Sequence, residues 1–185
     1  MSESFITPTE LKRYPLPVTD KQWAKIEYDQ LVAVTAYATQ HVEDYLDRNI
    51  MSQQYTQRIR GNGRSRLVLD QYPVTQLVTL TSTDMTGYIE SKSVSDLLIN
   101  AGSGIIEWID QTRNAFYKGY IWTVTYKAGY TTVPGPIKHA TALQAVAMLQ
   151  PLFRGGVDFQ EIDLIDSIDE SIVDMLEKYK RKRIG

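Results

Sequence analysis

The spacing of apolar residues changes twice along this chain of 185 residues. From about residue 19 to 48 apolar side chains recur every three to five residues, as on one face of a helix. From about 50 to 130 the period falls to two, which is typical of strands. From 140 to 149 only Thr141 and Gln144 are polar, which indicates a helix covered on most sides. The pattern predicts an α+β fold: a long N-terminal helix, a central antiparallel sheet with hairpins, an apolar second helix and a C-terminal helix.

Local signals divide the chain into three parts. Prolines interrupt residues 1–18, which are predicted to be an extended arm. A capping-box pattern opens the first helix at Thr19. Residues 19–156 are predicted to form one domain, with a β insertion at about 50–130. An acidic linker and a C-terminal helix with a basic end are predicted for 157–185.

The β region has two clear strands, at Ile105–Ile109 and at Tyr120–Lys127. A hairpin is predicted around Gly61-Asn62-Gly63, because these residues tolerate a positive φ. After the sheet, the second helix is expected to begin near Pro136 and to be stopped by Pro151 and Gly155-Gly156.

Composition excludes several classes of site. The chain has no cysteine, which excludes disulfides, thiol nucleophiles and cysteine-bound zinc. Its net charge of -2 argues against a dedicated nucleic-acid binder. No stretch approaches the ~20 apolar residues of a membrane helix, so no membrane partner is expected. His41 and His139 have no catalytic partner at a recognised spacing. We therefore predict no enzyme activity and no catalytic, metal-binding or cofactor-binding residue.

Four arginines flank the predicted hairpin turn: Arg58, Arg60, Arg64 and Arg66. In such a hairpin Arg60 would face Arg64 and Arg58 would face Arg66, and opposed like charges are destabilising. One interpretation is a solvated hairpin tip. The other is a finger that contacts a polyanion, either DNA phosphates or an acidic protein surface.

Two further segments have two interpretations each. The basic C-terminal end is either a solvated helix end or a docking tail; its residues are Lys178, Lys180, Arg181, Lys182 and Arg183. The apolar second helix is covered either by its own chain or by another subunit. Its candidate interface residues are Ala140, Leu143, Val146, Ala147 and Met148.

The order of several short segments resembles the head-tail connector, or adaptor, proteins of tailed bacteriophages. The resemblance covers about residues 20 to 154. It is carried by VEDYLDR at 42–48, LDQYPV at 69–74, VTYKAGY at 124–130 and VPGPIKHA at 133–140.

This resemblance implies a structural protein that is synthesised in the host cytoplasm and built into the virion neck, at the capsid vertex. It implies a homo-oligomeric ring, typically twelvefold, that lies beneath the portal protein and extends the DNA channel. Its other partners would be a stopper or tail protein and, transiently, the packaged DNA. The basic C-terminal end would then dock to the portal. No cofactor is implied.

Two alternatives stay open. The chain could be another neck component, a stopper or tail-completion protein, although long helices at both ends of the chain favour an adaptor. It could also be a small enzyme with a carboxylate site, assembled from residues such as Glu107, Asp110 and Asp163.

Overall fold

The computed structural model describes residues 4–16, 18–154, 168 and 170–180. The chain divides into two compact units. The helical unit combines Met1–Arg48 with Val133–Gly185, and the sheet unit is Asn49–Thr132. The helices and antiparallel sheets confirm the predicted α+β class.

The described residues of the helical unit form five α-helices. They are α1 at Pro8–Arg13, α2 at Asp20–Trp23, α3 at Tyr28–Leu46, α4 at Gly135–Arg154 and α5 at Glu170–Leu176, with a 3₁₀ turn at Glu177–Tyr179. Apolar side chains of α1 to α4 form one core, in which the rings of Trp23 and Phe153 meet edge to face at 6.0 Å.

Helix α1 corrects the prediction of an extended arm. The Glu10 amide donates to Thr7 Oγ1 at 3.2 Å, and the Thr7 amide donates to Glu10 Oε2 at 2.9 Å. Pro8 occupies the first turn, where its missing N–H costs nothing. Leu11 is fully buried. Pro8, one of the prolines that led to the prediction of an extended arm, is therefore the first residue of a helix.

The capping box at Thr19 is present but heads only the short helix α2. The long helix α3 begins later, where the Glu27 amide donates to the side chain of Gln30 at 2.9 Å. It ends at Asp47, which adopts a left-handed conformation with φ 53°. The predicted first helix is therefore two helices, α2 and α3. Their apolar residues continue one pattern in the sequence because both helices pack into the same core.

Helix α4 continues through Pro151, the first of the two predicted stop signals, and its last residue, Arg154, directly precedes the second, Gly155-Gly156, in the sequence. A proline inside a helix removes one hydrogen bond and costs about 3 kcal/mol. Continuation to Arg154 brings Phe153 into the core against Trp23, and this burial offsets the cost.

Seven strands build the sheet unit. They are β1 at Gln53–Arg60, β2 at Arg66–Val68, β3 at Val74–Thr83, β4 at Ile89–Lys92, β5 at Leu97–Asn100, β6 at Ile105–Trp108 and β7 at Ile121–Ala128. One antiparallel sheet has the order β1-β7-β3-β4 and the other has the order β2-β6-β5. Both predicted strands, β6 and β7, are confirmed within one residue of their expected starts.

The predicted hairpin around Gly61-Asn62-Gly63 is wrong. Strand β1 pairs with β7 and strand β2 pairs with β6, so the glycine loop connects two different sheets. The loop is held by the 116–120 segment: the Gly61 amide donates to Tyr120 O at 2.9 Å, and the Phe116 amide donates to Arg64 O at 2.8 Å. A period of two fixes which face of a strand is buried but does not fix its partner.

An aromatic cluster joins the two sheets. The ring of Phe116 lies 5.4 Å from that of Trp108 and 4.9 Å from that of Trp122, and all three residues are buried. These distances suit edge-to-face and offset packing. The sheets therefore share one core, although they exchange no strand.

Helix α1 gives a test of the corrected N-terminus. Glu10 caps the helix and also contacts Lys138 at 3.2 Å. The hydrogen bond that it accepts from the Thr7 amide, reinforced by Lys138, holds the pKa of its carboxyl below the ordinary value. We expect Glu10→Ala to lower the free energy of unfolding by about 1 kcal/mol at pH 7.

Glu10→Gln retains an acceptor for the cap and should lose less. Because the folded-state pKa is lowered, the carboxylate stabilises the fold above its ordinary pKa and stops doing so as the pH falls through the folded-state value. Urea unfolding at pH 7 and at pH 3 measures the difference. A Glu10→Gln penalty that is as large at pH 3 as at pH 7 would contradict this account of the charge.

Candidate interaction surfaces

The four arginines lie on three different elements. Arg58 and Arg60 point outward from β1, opposite Thr123 and Ile121 of β7. Arg64 lies in the glycine loop and Arg66 on β2. The predicted opposition of arginine to arginine is therefore absent, because the hairpin that required it does not form.

Arg66 differs from the other three in its pairing. It lies opposite Glu107 of β6 and donates through Nε to Glu107 Oε1 at 2.7 Å. Among the described residues, no salt bridge is formed by Arg58, Arg60 or Arg64. Three of the four candidate arginines therefore remain available as exposed cations.

Lys118 adds a cation that the sequence did not single out. Its side chain lies against Gly63, where a Cβ would come within 3.2 Å of the lysine Cγ. Gly63 has φ +76°, which favours glycine. Because Lys118 lies 55 positions beyond Gly63 in the sequence, only the tertiary contact brings it to the arginine loop. The loop, with Arg60, Arg64 and Lys118, is an electropositive end of the sheet unit.

The basic C-terminal end is only partly described. Lys180 Nζ lies 4.3 Å from the ring centre of Tyr45, and Tyr45 donates a hydrogen bond to Glu177 at 2.8 Å. Burial, followed by that hydrogen bond, raises the pKa of the Tyr45 phenol. Lys178 is exposed. The remaining predicted docking residues, Arg181, Lys182 and Arg183, lie outside the described residues.

The apolar helix α4 is covered largely by its own chain. Ala140 and Met148 are fully buried and Val146 is 5% exposed. These three residues are therefore not surface residues of an interface, which corrects that part of the prediction. Leu143 and Ala147 are half-buried, and their role as interface residues stays a prediction. Helices α1 to α3, which share the core with α4, and helix α5, which packs against α4, provide this cover.

The carboxylates of the enzyme alternative have structural partners. Glu107 pairs with Arg66 and also accepts from Gln111 at 2.6 Å. Asp110 accepts from the Thr112 hydroxyl at 2.6 Å, and this bond lowers the pKa of its carboxyl. Asp163 lies outside the described residues. Among the residues that are described, no three His, Asp or Glu side chains gather as metal ligands.

Residues 5–147 match one protein family, described as head completion protein. No curated protein matches the chain. In the described part of the chain, no helix is long and apolar enough to cross a membrane.

Three solved structures share the fold at 15% identity. A chain in the neck of an empty gene transfer agent particle, computed with C6 symmetry, has a TM-score of 0.63 and covers 100% of this chain and 95% of its own length. A chain in the virion of the native particle has a TM-score of 0.63, with coverages of 97% and 91%. A chain in the neck of the native particle, computed with C12 symmetry, has a TM-score of 0.57, with coverages of 100% and 97%.

The arginine loop gives a test with a matched control. A Cβ at Gly61 would collide with the carbonyl oxygen of Tyr117, whereas a Cβ at Gly102 would meet nothing within 4 Å. We expect Gly61→Ala to destabilise the protein by about 1–3 kcal/mol. Gly102→Ala should change stability by less than about 0.5 kcal/mol. Thermal unfolding compares the two variants, and equal stabilities would show that the loop does not pack against the 116–120 segment.

Proposed function

Because this chain belongs to the head completion protein family, we propose that it is a structural protein in the neck of a tailed phage or phage-like particle. The match over residues 5–147 carries this proposal. It spans both units of the chain, so the family assignment rests on the whole fold rather than on one motif. The shared fold with neck chains of a gene transfer agent adds support.

The protein acts as a subunit of a ring, most simply of twelve copies. Two of the neck structures with this fold were computed with C6 and C12 symmetry. A ring subunit needs two different lateral faces, because a closed ring is built from heterologous contacts. The ring lies under the portal protein, extends the DNA channel and offers a platform for a stopper or tail protein.

The electropositive end of the sheet unit contacts a polyanion in this assembly. Arg60, Arg64 and Lys118 are exposed there, while the whole chain has a net charge of -2. A few local cations on a mildly acidic protein suit a channel through which DNA must slide. Every further contact with a phosphate would strengthen the salt-dependent binding to DNA and oppose sliding. We favour DNA as the polyanion and keep an acidic protein surface as the second candidate.

The protein has no catalytic role. The carboxylates that an enzyme would need, Glu107 and Asp110, are engaged in structural bonds at β6 and the turn after it. Another neck component, a stopper or tail-completion protein, is the second candidate function. The large helical unit, with α3 of 19 residues and α4 of 20, favours the adaptor.

Native mass spectrometry at rising protein concentration tests the ring. We expect a species of about twelve copies, because heterologous contacts close into a defined ring. Adding the portal protein of the same particle controls for a ring that needs a template. A protein that stays monomeric with and without the portal would contradict the ring.

Charge reversal tests the arginine loop. Arg60→Glu together with Arg64→Glu should weaken DNA binding, and should lower the slope of log affinity against log salt by about 2. Lys12→Glu together with Arg13→Glu is the matched control, since both residues are exposed on α1 and belong to the helical unit. If the double variant binds DNA, docks to partners and assembles as the wild type does, the loop has no role in contact.

Removal of residues 181–185 tests the proposed docking of the basic end to the portal. Ile172 and Leu176 of α5 are buried, so a cut after Lys180 preserves the described fold, whereas an earlier cut would open the core. We expect a folded ring that no longer binds portal protein in co-sedimentation. Unchanged portal binding would assign docking to another surface.

A further inference from the structure

The turn between β3 and β4 carries an exposed apolar tip, formed by Met85, Tyr88 and Ile89. Their exposed fractions are 82%, 68% and 63%. Soluble proteins commonly expose single apolar residues, but three together at the end of a turn indicate a contact surface.

Hydrogen bonds to Asp84 hold this tip in place. Asp84 Oδ1 accepts from the Thr86 amide at 2.8 Å, from the Thr86 hydroxyl at 2.7 Å and from the Tyr88 amide at 3.0 Å. Gly87 has φ +88°, which the turn requires. A fixed tip loses little conformational entropy when it binds, which favours a specific contact.

The outer face of the three-stranded sheet contains an open trough of about 580 Å³. Its apolar lining comes from Leu98, Ile99, Ala101 and Ile105, and the ion pair of Arg66 with Glu107 lies beside them. Leu98 is 56% exposed and Ile99 is 39% exposed. We call this surface the sheet trough.

The apolar tip and the Ala101 end of the sheet trough lie at opposite ends of β3. The tip follows Thr83, the last residue of the strand. Ala101 in the trough accepts a hydrogen bond from Val74, the first residue, at 3.0 Å. A strand of ten residues spans about 30 Å. The tip therefore cannot fill that end of its own trough, but the tip of a second copy can.

The two surfaces match in size and in charge. A cavity of about 150 Å³ holds one benzene ring, so a trough of 580 Å³ has room for a phenol ring and two aliphatic side chains. Arg66 uses Nε for Glu107 and is 62% exposed, which leaves its terminal amino groups to meet an acceptor. Glu90, next to the tip, pairs through Oε1 with Lys92 at 2.6 Å, and its side chain is 50% exposed, so its second oxygen can meet the guanidinium of Arg66.

We propose that the apolar tip of one copy docks into the sheet trough of the next copy, and that this contact links the chains head to tail. A tip and a trough at different places on one chain make a heterologous contact, which closes into a ring when the rotation permits. The inference rests on the proposed ring and names the two faces that build it. The occupant of the trough is a second copy of this chain.

Disulfide trapping tests the contact, and the absence of cysteine from the chain makes the result clear. Tyr88→Cys in a chain with a size tag is mixed with Leu98→Cys in an untagged chain and oxidised gently. We expect at least tenfold more tagged-untagged heterodimer than in the matched control, which pairs Tyr37→Cys with Leu98→Cys. Tyr37 lies on α3 and is 46% exposed. Circular dichroism confirms that each variant is folded.

The double variant Tyr88→Cys/Leu98→Cys extends the test to assembly. We expect a ladder of covalent oligomers, whereas each single variant stops at a dimer. Heterodimer at the control level, with wild-type rings present by native mass spectrometry, would overturn the docking contact and leave the ring standing. A specific heterodimer with only short open chains would support the contact and contradict the closed ring. Absence of both heterodimer and rings would overturn both.

Discussion

Pairing of β7 with a strand on each side is the constraint on which the sheet unit depends. It pairs with β1 over its full length and with β3 on the other edge, and its alternate residues Trp122, Val124 and Tyr126 are buried. Both Arg60 and Thr83 lie opposite Ile121. The register therefore places the arginine loop and the apolar tip at the same end of the four-stranded sheet.

The sequence predicted the elements whose local pattern and burial agree. Strand β7 alternates because one face packs into the core, and α4 is almost wholly apolar because helices α1 to α3 and α5 cover it. The order of short segments also indicated the family correctly. These features depend on neighbours in the sequence, so they are visible without the tertiary structure.

Features that depend on long-range contacts were not predicted from the sequence. The sequence of the glycine loop is typical of a hairpin turn. In the structure, its hydrogen bonds with Phe116 and Tyr120 direct the chain into a second sheet instead. The capping box at Thr7, by contrast, is a local signal, because Glu10 follows Thr7 by three residues and Pro8 suits the first turn of a helix, and it was overlooked in the sequence. Of the candidate contact residues, the arginines were found by their spacing. Lys118 and the apolar tip were not, because residue type alone does not reveal exposure or proximity.

A helical unit, an electropositive end and the two proposed lateral surfaces belong to one neck protein, for which we propose a ring beneath the portal. Electron cryomicroscopy of the neck in the particle that carries this protein tests that ring most directly. We expect a closed ring of this chain beneath the portal, with its density around the DNA channel and each subunit in contact with the next. A neck in which the chain is absent from this position, or is present as isolated copies, would contradict it.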